Sequence, residues 1–418
     1  MNPYDGLYKR DAIEKILLAK NVLVENSTSI REFTDVASEQ FKSVFEYLWS
    51  TNKLNIFNYG FTLSEMLISC KYQGKECTAK DFYWYHDYNY GNCYRFNGGD
   101  PDQQMESHVF EAYQLKRATK RGWRNGLRLE LYTGDQQAQQ QYTYKTGVRV
   151  IVHNQSIIPF PDEDGIDVSV GTQTNIAISR TFMNRLAHPY SKCLKALNQR
   201  AAQRNDILSD MYKLITNNVI DVYQQNICLK LCEQKFVLKR CECVDLSLAS
   251  LNLVNGSLGC LTTDQVNCLQ EMSAEFYNSL IADECYSKCS HECDTITYET
   301  KISTADYPTE WYGQMFNQYQ TLFNYTQVYF NNRSNYSGPN LALIKSTTAM
   351  VNIFYDTLTY TMVKESPALP FDILLANIGG NFGLFTGASM LSFVELVELA
   401  VSIIILFIGY KKIRTYRI

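Results

Sequence analysis

The chain has 418 residues and a net charge of -4, with 20% charged and 13% aromatic residues, 30 of them Tyr. So nearly neutral a balance offers no grip on nucleic acid, and the aromatic content excludes a disordered chain. No GxSxG, HExxH or phosphate-cradling glycine loop occurs, and His86, His108, His153, His188 and His291 stand apart from any nucleophile motif, so the chain reads as a non-enzyme without cofactor or metal.

Two features point to an oxidising compartment. The 13 cysteines, nearly all within residues 70–93 and 228–293, have the density of a disulfide framework. Six glycosylation sequons, at Asn26, Asn154, Asn255, Asn324, Asn332 and Asn335, agree. Residues 1–50 nevertheless show no signal peptide, since the apolar run 13–24 is broken by Glu14, Lys15, Lys20 and Asn21. The expectation is an N-terminally truncated sequence.

In chain order, Ile13, Leu17, Leu18 and Leu23, then Phe41, Val44, Phe45 and Leu48, have helical spacing and predict two amphipathic helices. Cys70 and Cys77 bracket a short loop with Gly74 at its turn, a spacing that a disulfide closes. Residues 126–134 (GLRLELYTG) and 147–156 (GVRVIVHNQS) alternate as half-buried strands do, joined by a glutamine-rich connection. Asp162, Glu163, Asp164 and Asp167 lack calcium-loop spacing and read as a solvated acidic turn, followed by further strands.

Between 207 and 300, Cys228 and Cys232 are one helical turn apart, as are Cys285, Cys289 and Cys293, so two helices could be laddered by disulfides. Spacing alone does not choose the pairs. Zinc on Cys241, Cys243 and His291 is the competing reading, disfavoured by the lack of paired CxxC knuckles. Residues 307–340 read as a decorated surface, and 346–367 as a strand.

That strand leads to residues 371–410, long and apolar enough to cross a bilayer. The 29 residues 382–410, at about 1.5 Å each, exceed the ~30 Å hydrocarbon core and predict one tilted helix. Lys411, Lys412, Arg414 and Arg417 then mark the short tail 411–418 as cytoplasmic. Leu391, Glu395, Glu398 and Ser402 fall at i, i+4, i+7 and i+11 on one helix face, and intramembrane acids generally face a bundle interior or water. Small residues cluster at Gly379, Gly380, Gly383, Gly387, Ala388 and Ser389. A pore lining and a glycine-rich dimerising anchor both accommodate this pattern; the second would make the protein a disulfide-rich cell-surface binding module that does not conduct.

LLANIGGNFGLFTGASMLSFVEL resembles the pre-pore and second transmembrane segment of the degenerin, epithelial sodium channel and acid-sensing channel superfamily, whose Gly-Ala-Ser triplet corresponds to Gly387, Ala388 and Ser389. The resemblance extends over nearly the whole chain and implies an α+β membrane protein. Its ectodomain, residues 1–370, would comprise a finger (about 1–85), antiparallel palm and β-ball strands (about 90–185 and 340–366) and a helical disulfide-rich thumb (about 193–300). A pre-pore and pore-lining helix would fill 371–410, with the first transmembrane helix absent.

Further implications concern single residues. The triplet would be the selectivity filter and Leu391, Glu395, Glu398 and Ser402 the pore lining. The family pairs imply disulfides Cys70 with Cys77, Cys193 with Cys293, Cys228 with Cys289, Cys232 with Cys285, Cys241 with Cys268, and Cys243 with Cys260. Cys93 would be unpaired, its family partner following the missing first helix. Tyr190, in RLAHPYSKC, would couple ectodomain to pore, and Ile373 stands where the family carries a small residue, a departure bearing on closure. Implied function is a stimulus-gated, amiloride-sensitive sodium channel at the plasma membrane, with sodium as permeant ion, two further subunits completing a trimer, and lipid, extracellular ligand or matrix as other partners.

Overall fold

The computed structural model describes residues 60–98, 115–134, 145–248, 259–318, 341–387 and 390–415, apart from single positions and pairs within these ranges. The two predicted N-terminal helices lie outside these residues. The chain divides into units 1–363 and 364–418.

The strands of the first unit are β1 (Leu67–Tyr72), β2 (Lys75–Glu76), β3 (Phe82–Asp87), β4 (Gly91–Phe96), β5 (Leu127–Tyr132), β6 (Val148–Val150), β7 (Ile166–Val168), β8 (Thr172–Asn184), β9 (Asp294–Asp306) and β10 (Thr348–Lys364). Six form one sheet in the order β2-β1-β5-β10-β8-β9, while β3 pairs with β4 and β6 with β7. The β1–β2 turn is tight because Gln73 and Gly74 both take positive φ, 52° and 79°, which matches the right-handed twist of a two-residue hairpin loop. At the β3–β4 turn, Asp87 Oδ1 accepts from the backbone N–H groups of Asn89 (2.9 Å) and Tyr90 (3.0 Å), substituting for a backbone turn.

β8 shows why the sheet has one dry face. Thr174, Ile176 and Ile178 are buried at alternate positions, as the period of two requires. The two isoleucines join Leu131, Val168, Ala349 and Val351 in a common core. β8 and β9 stay in register over their whole length, from Thr172 opposite Asp306 to Asn184 opposite Asp294. β10 is graded: its first five residues are buried, the next five intermediate and the last seven exposed.

The helices of more than one turn are α1 (Ile207–Thr216), α2 (Gln225–Cys241), α3 (Thr263–Phe276), α4 (Leu280–Lys288), α5 (Glu310–Gln318) and α6 (Leu341–Thr347). Each of α1, α3 and α4 starts at a residue whose side chain caps free N–H groups: Asp206, Thr262 and Ser279. α2 ends at Glu242, held in the left-handed region at φ 56°. Met211, Leu214, Ile227, Leu231, Phe236 and Phe276 pack into a second core shared by these helices, the last two rings 5.4 Å apart edge to face. The expectation that Cys285, Cys289 and Cys293 share a helix is corrected: α4 stops at Lys288, Cys289 is its cap, and Cys293 lies beyond it. Cys293 must turn out of the helix to lead directly into β9 at Asp294.

The second unit holds α7 (Phe371–Thr386) and α8 (Met390–Thr415). The single helix expected over 382–410 is therefore corrected. α7 terminates where Gly387 turns into the left-handed region at φ 64°, a conformation that breaks the helical hydrogen-bond ladder and that glycine adopts without steric cost. Among the described residues, no helix is long and apolar enough to cross a membrane.

Candidate functional site

Six disulfides organise the first unit: Cys70–Cys77, Cys193–Cys293, Cys228–Cys289, Cys232–Cys285, Cys241–Cys268 and Cys243–Cys260. These are the pairs implied by the resemblance. The two middle pairs tie α2 to the end of α4, and the last two tie the end of α2 to α3 and to the chain before it. With Cys241 and Cys243 in disulfides, their thiolates are not available to zinc. Cys93 is a free thiol in β4. Burial, reinforced by the Asp87 charge, pushes it up to about 12, so it stays protonated.

The segment 185–193 is stitched to the base of the helical region. Arg185 donates its backbone N–H to Cys293 O (2.7 Å) and its guanidinium to Glu292 O (2.9 Å), while Cys193 closes the other end by its disulfide. Tyr190 lies on this clamped loop and is 61% exposed.

The acidic turn is a one-turn helix, Pro161–Asp164, and most of the acids at and beside it have partners. Asp162 accepts from Asn89, Glu163 pairs with Lys230 at 2.5 Å, and Asp167 just beyond pairs with Arg149 at 2.7 Å and Lys145 at 3.0 Å. Of the six sequons, only Asn154 is described, and it is half-buried. Asn26, Asn255, Asn324, Asn332 and Asn335 lie outside the described residues.

In the second unit, Ile373 sits in the first turn of α7, 47% exposed. Gly387 caps that helix; Ala388 and Ser389 lie outside the described residues, between α7 and α8. Leu391, Glu395, Glu398 and Ser402 are all exposed on α8, at the spacing of one helix face.

One buried group escaped the sequence reading. Glu130 in β5 is 3% exposed and accepts from Ser69 Oγ (2.6 Å), Tyr312 OH (2.6 Å) and Tyr307 OH (3.3 Å). Burial first, then the Glu130 charge, push both phenols up, so they remain donors. Its signal was a carboxylate amid Leu127, Leu129 and Leu131. A second is Asp81, buried beside Lys116 at 2.7 Å and bonded also by Thr78.

The sequence model of the amiloride-sensitive sodium channel family matches residues 5–399. Degenerin del-1 of Caenorhabditis elegans is 27% identical over 343 residues, covering 82% of this chain and 45% of the relative. The gamma subunit of the epithelial sodium channel of Rattus norvegicus is 25% identical over 82% of this chain and 47% of its own length, and the human alpha subunit 26% identical over 82% and 46%. The chain thus spans less than half the length of these curated relatives. With a family match over nearly all its residues, a mixed α and β body held by six disulfides and no enzyme signature, the chain belongs to the amiloride-sensitive sodium channel family.

Proposed function

We propose that the chain is a subunit of a stimulus-gated sodium channel of the plasma membrane, with residues 1–370 extracellular and three subunits around one pore. Gly387, Ala388 and Ser389 form its narrow, sodium-preferring ring. Glu395 and Glu398 concentrate cations toward the inner mouth, with Leu391 and Ser402 on the same face. The division into finger, palm, ball and thumb follows the boundaries given above. Tyr190 acts in gating, passing displacement of the disulfide-bound helices toward the pore, and Ile373 biases closure.

The observation that carries this reading is the helix break at Gly387. A continuous helix spends its carbonyls on its own hydrogen bonds, whereas an interruption among small residues frees backbone oxygens to replace an ion's hydration shell. Support also comes from the apolar surface that α7 and α8 expose, with Phe382 60%, Phe385 83%, Leu391 72% and Phe407 73% accessible, a face suited to lipid and neighbouring subunits.

The test is sodium current in oocytes from this chain and from a version extended with its upstream transcript sequence. Amiloride-blocked sodium current from the extended form supports the reading. A chain that reaches the surface and stays silent under acid, peptide and pressure overturns it.

A further inference from the structure

Residues 115–128, LKRATKRGWRNGLR, carry Lys116, Arg117, Lys120, Arg121, Arg124 and Arg128 and no carboxylate. The structure holds this stretch as a fixed strap. Its start is clasped by Asn97, which accepts from Lys116 N (2.8 Å) and donates to Lys116 O (3.0 Å), and by the Asp81–Lys116 ion pair. Its middle is bonded by the Gln73 side chain, which donates to Arg117 O at 2.8 Å and accepts from Thr119 Oγ1 at 3.4 Å. Its end is tied where Gly122 N donates to Tyr355 O (3.0 Å) and Asn125 Nδ2 to Arg121 O (3.0 Å).

The strap keeps its charge facing out. Arg117, Lys120, Arg121 and Arg124 are exposed, and among the described residues none of them is in an ion pair. Arg124 and Arg128 each lie over the Trp123 ring, at 5.2 and 4.8 Å from its centroid, which anchors two guanidinium groups to one indole. Across the strand pair, Arg128 also stands directly opposite Lys71, a like-charge juxtaposition that is unfavourable unless an anion relieves it. Glu76 stands opposite Lys71 on its other side and offsets that charge, while Asp81 is taken by Lys116 and Asp356 is bridged to Lys301 at 2.8 Å, so the four exposed cations of the strap keep no ion-pair partner among the described residues.

We propose that this strap is a docking surface for a sulfated polysaccharide. The inference rests on the extracellular placement of residues 1–370. Fixed arginine forks match the planar oxygen pairs of sulfate esters as they match phosphate or carboxylate. From Arg117 to Arg121 an extended chain reaches about 13 Å, so the cations suit a partner with repeated anions rather than a single one. A protein partner would need a buried aromatic or aliphatic anchor in a pocket. On the strap only Leu115, at its very start, and Trp123 are exposed large apolar side chains, and Trp123 is engaged by its two arginines.

The test uses the full chain, bound to an immobilised heparin oligosaccharide over a salt series. The quadruple variant R117Q/K120Q/R121Q/R124Q binds about tenfold or more weakly, with a shallower salt dependence, as loss of counterion release requires. A control with the same charge loss elsewhere, K192Q/K195Q/K239Q/K288Q, binds as the unaltered chain does. In every variant, a single thiol that labels slowly before and fast after unfolding verifies the six disulfides and the fold around Cys93. Equal weakening in strap variant and control overturns the proposal, as does displacement of heparin by polyglutamate at equal charge concentration, which assigns the strap to an acidic protein. Membrane-impermeant biotin labelling on intact cells reads the placement separately: an unlabelled chain overturns the extracellular reading while the binding result in solution stands.

Discussion

Cys193 and Cys293 are bonded across a separation of 100 residues, and the chain beside them is doubly paired, Leu194 N donating to His291 O at 2.9 Å and Cys293 N to Leu194 O at 3.0 Å. Every helix from α1 to α4 lies inside this closed loop. Replacing both cysteines by Ala is expected to cost about 2–5 kcal/mol, because so long a loop regains its conformational freedom in the unfolded state. Thermal unfolding of the variant checks this, with the five other disulfides counted by mass spectrometry.

The Asp81–Lys116 pair gives a pH dependence of known sign. Burial alone would raise the Asp81 carboxyl, but the hydrogen bonds from Lys116 and Thr78 outweigh it and hold the group below its ordinary 3.8. A lowered carboxyl contributes stability that is fully present above the ordinary value and is lost as pH falls through the folded one. D81N should therefore remove part of the acid-side slope in stability and cost about 1–3 kcal/mol at neutral pH, since Lys116 loses its buried partner. Denaturant midpoints between pH 2 and pH 7 read both.

Cys93 should resist chemistry. Its thiol is pushed up to about 12, so at pH 7.5 almost none is thiolate, the form that alkylates. Maleimide labelling of the folded chain should be slower than that of a small thiol by a factor of about 100 or more, and should become fast on unfolding. Rapid labelling of the folded chain would contradict the raised, half-buried thiol.

A β-carbon added at Gly387 would meet no atom within 4 Å, so space does not forbid a side chain there; the backbone φ of 64° does. Gly387→Ala should cost about 1–2 kcal/mol locally and shift the break between α7 and α8. In the extended channel, the expected outcome is loss of sodium preference at undiminished surface expression, read from reversal potentials in sodium and potassium. Unchanged reversal would remove Gly387 from the filter.

Much of this architecture was legible because its signals are local or strongly patterned. Alternation in 126–134 marked β5, and cysteine spacing marked the helical region once the family pairing was available. The break at Gly387 was not, because apolar composition runs straight through it and only backbone conformation records the interruption. Nor was the burial of Glu130. Leu127, Leu129 and Leu131 announce one dry face of β5, but the other face is covered by Tyr307 and Tyr312, which arrive from about 180 residues further along the chain. The Gly-Ala-Ser triplet proposed as the filter was readable only through resemblance, since small residues alone also describe a packed anchor.

The grading of β10 has a mechanical meaning. A strand clamped at Thr348–Asn352 by a dry core, and exposed over its last seven residues with Tyr360 resting on Phe182 of β8, is a cantilever: its root cannot shift without opening the core, while its tip is held by surface contacts alone. Deflection should therefore grow along the strand toward Lys364. Such a beam moves most at the end that leads into residues 365–370, farthest from the core in which it is rooted.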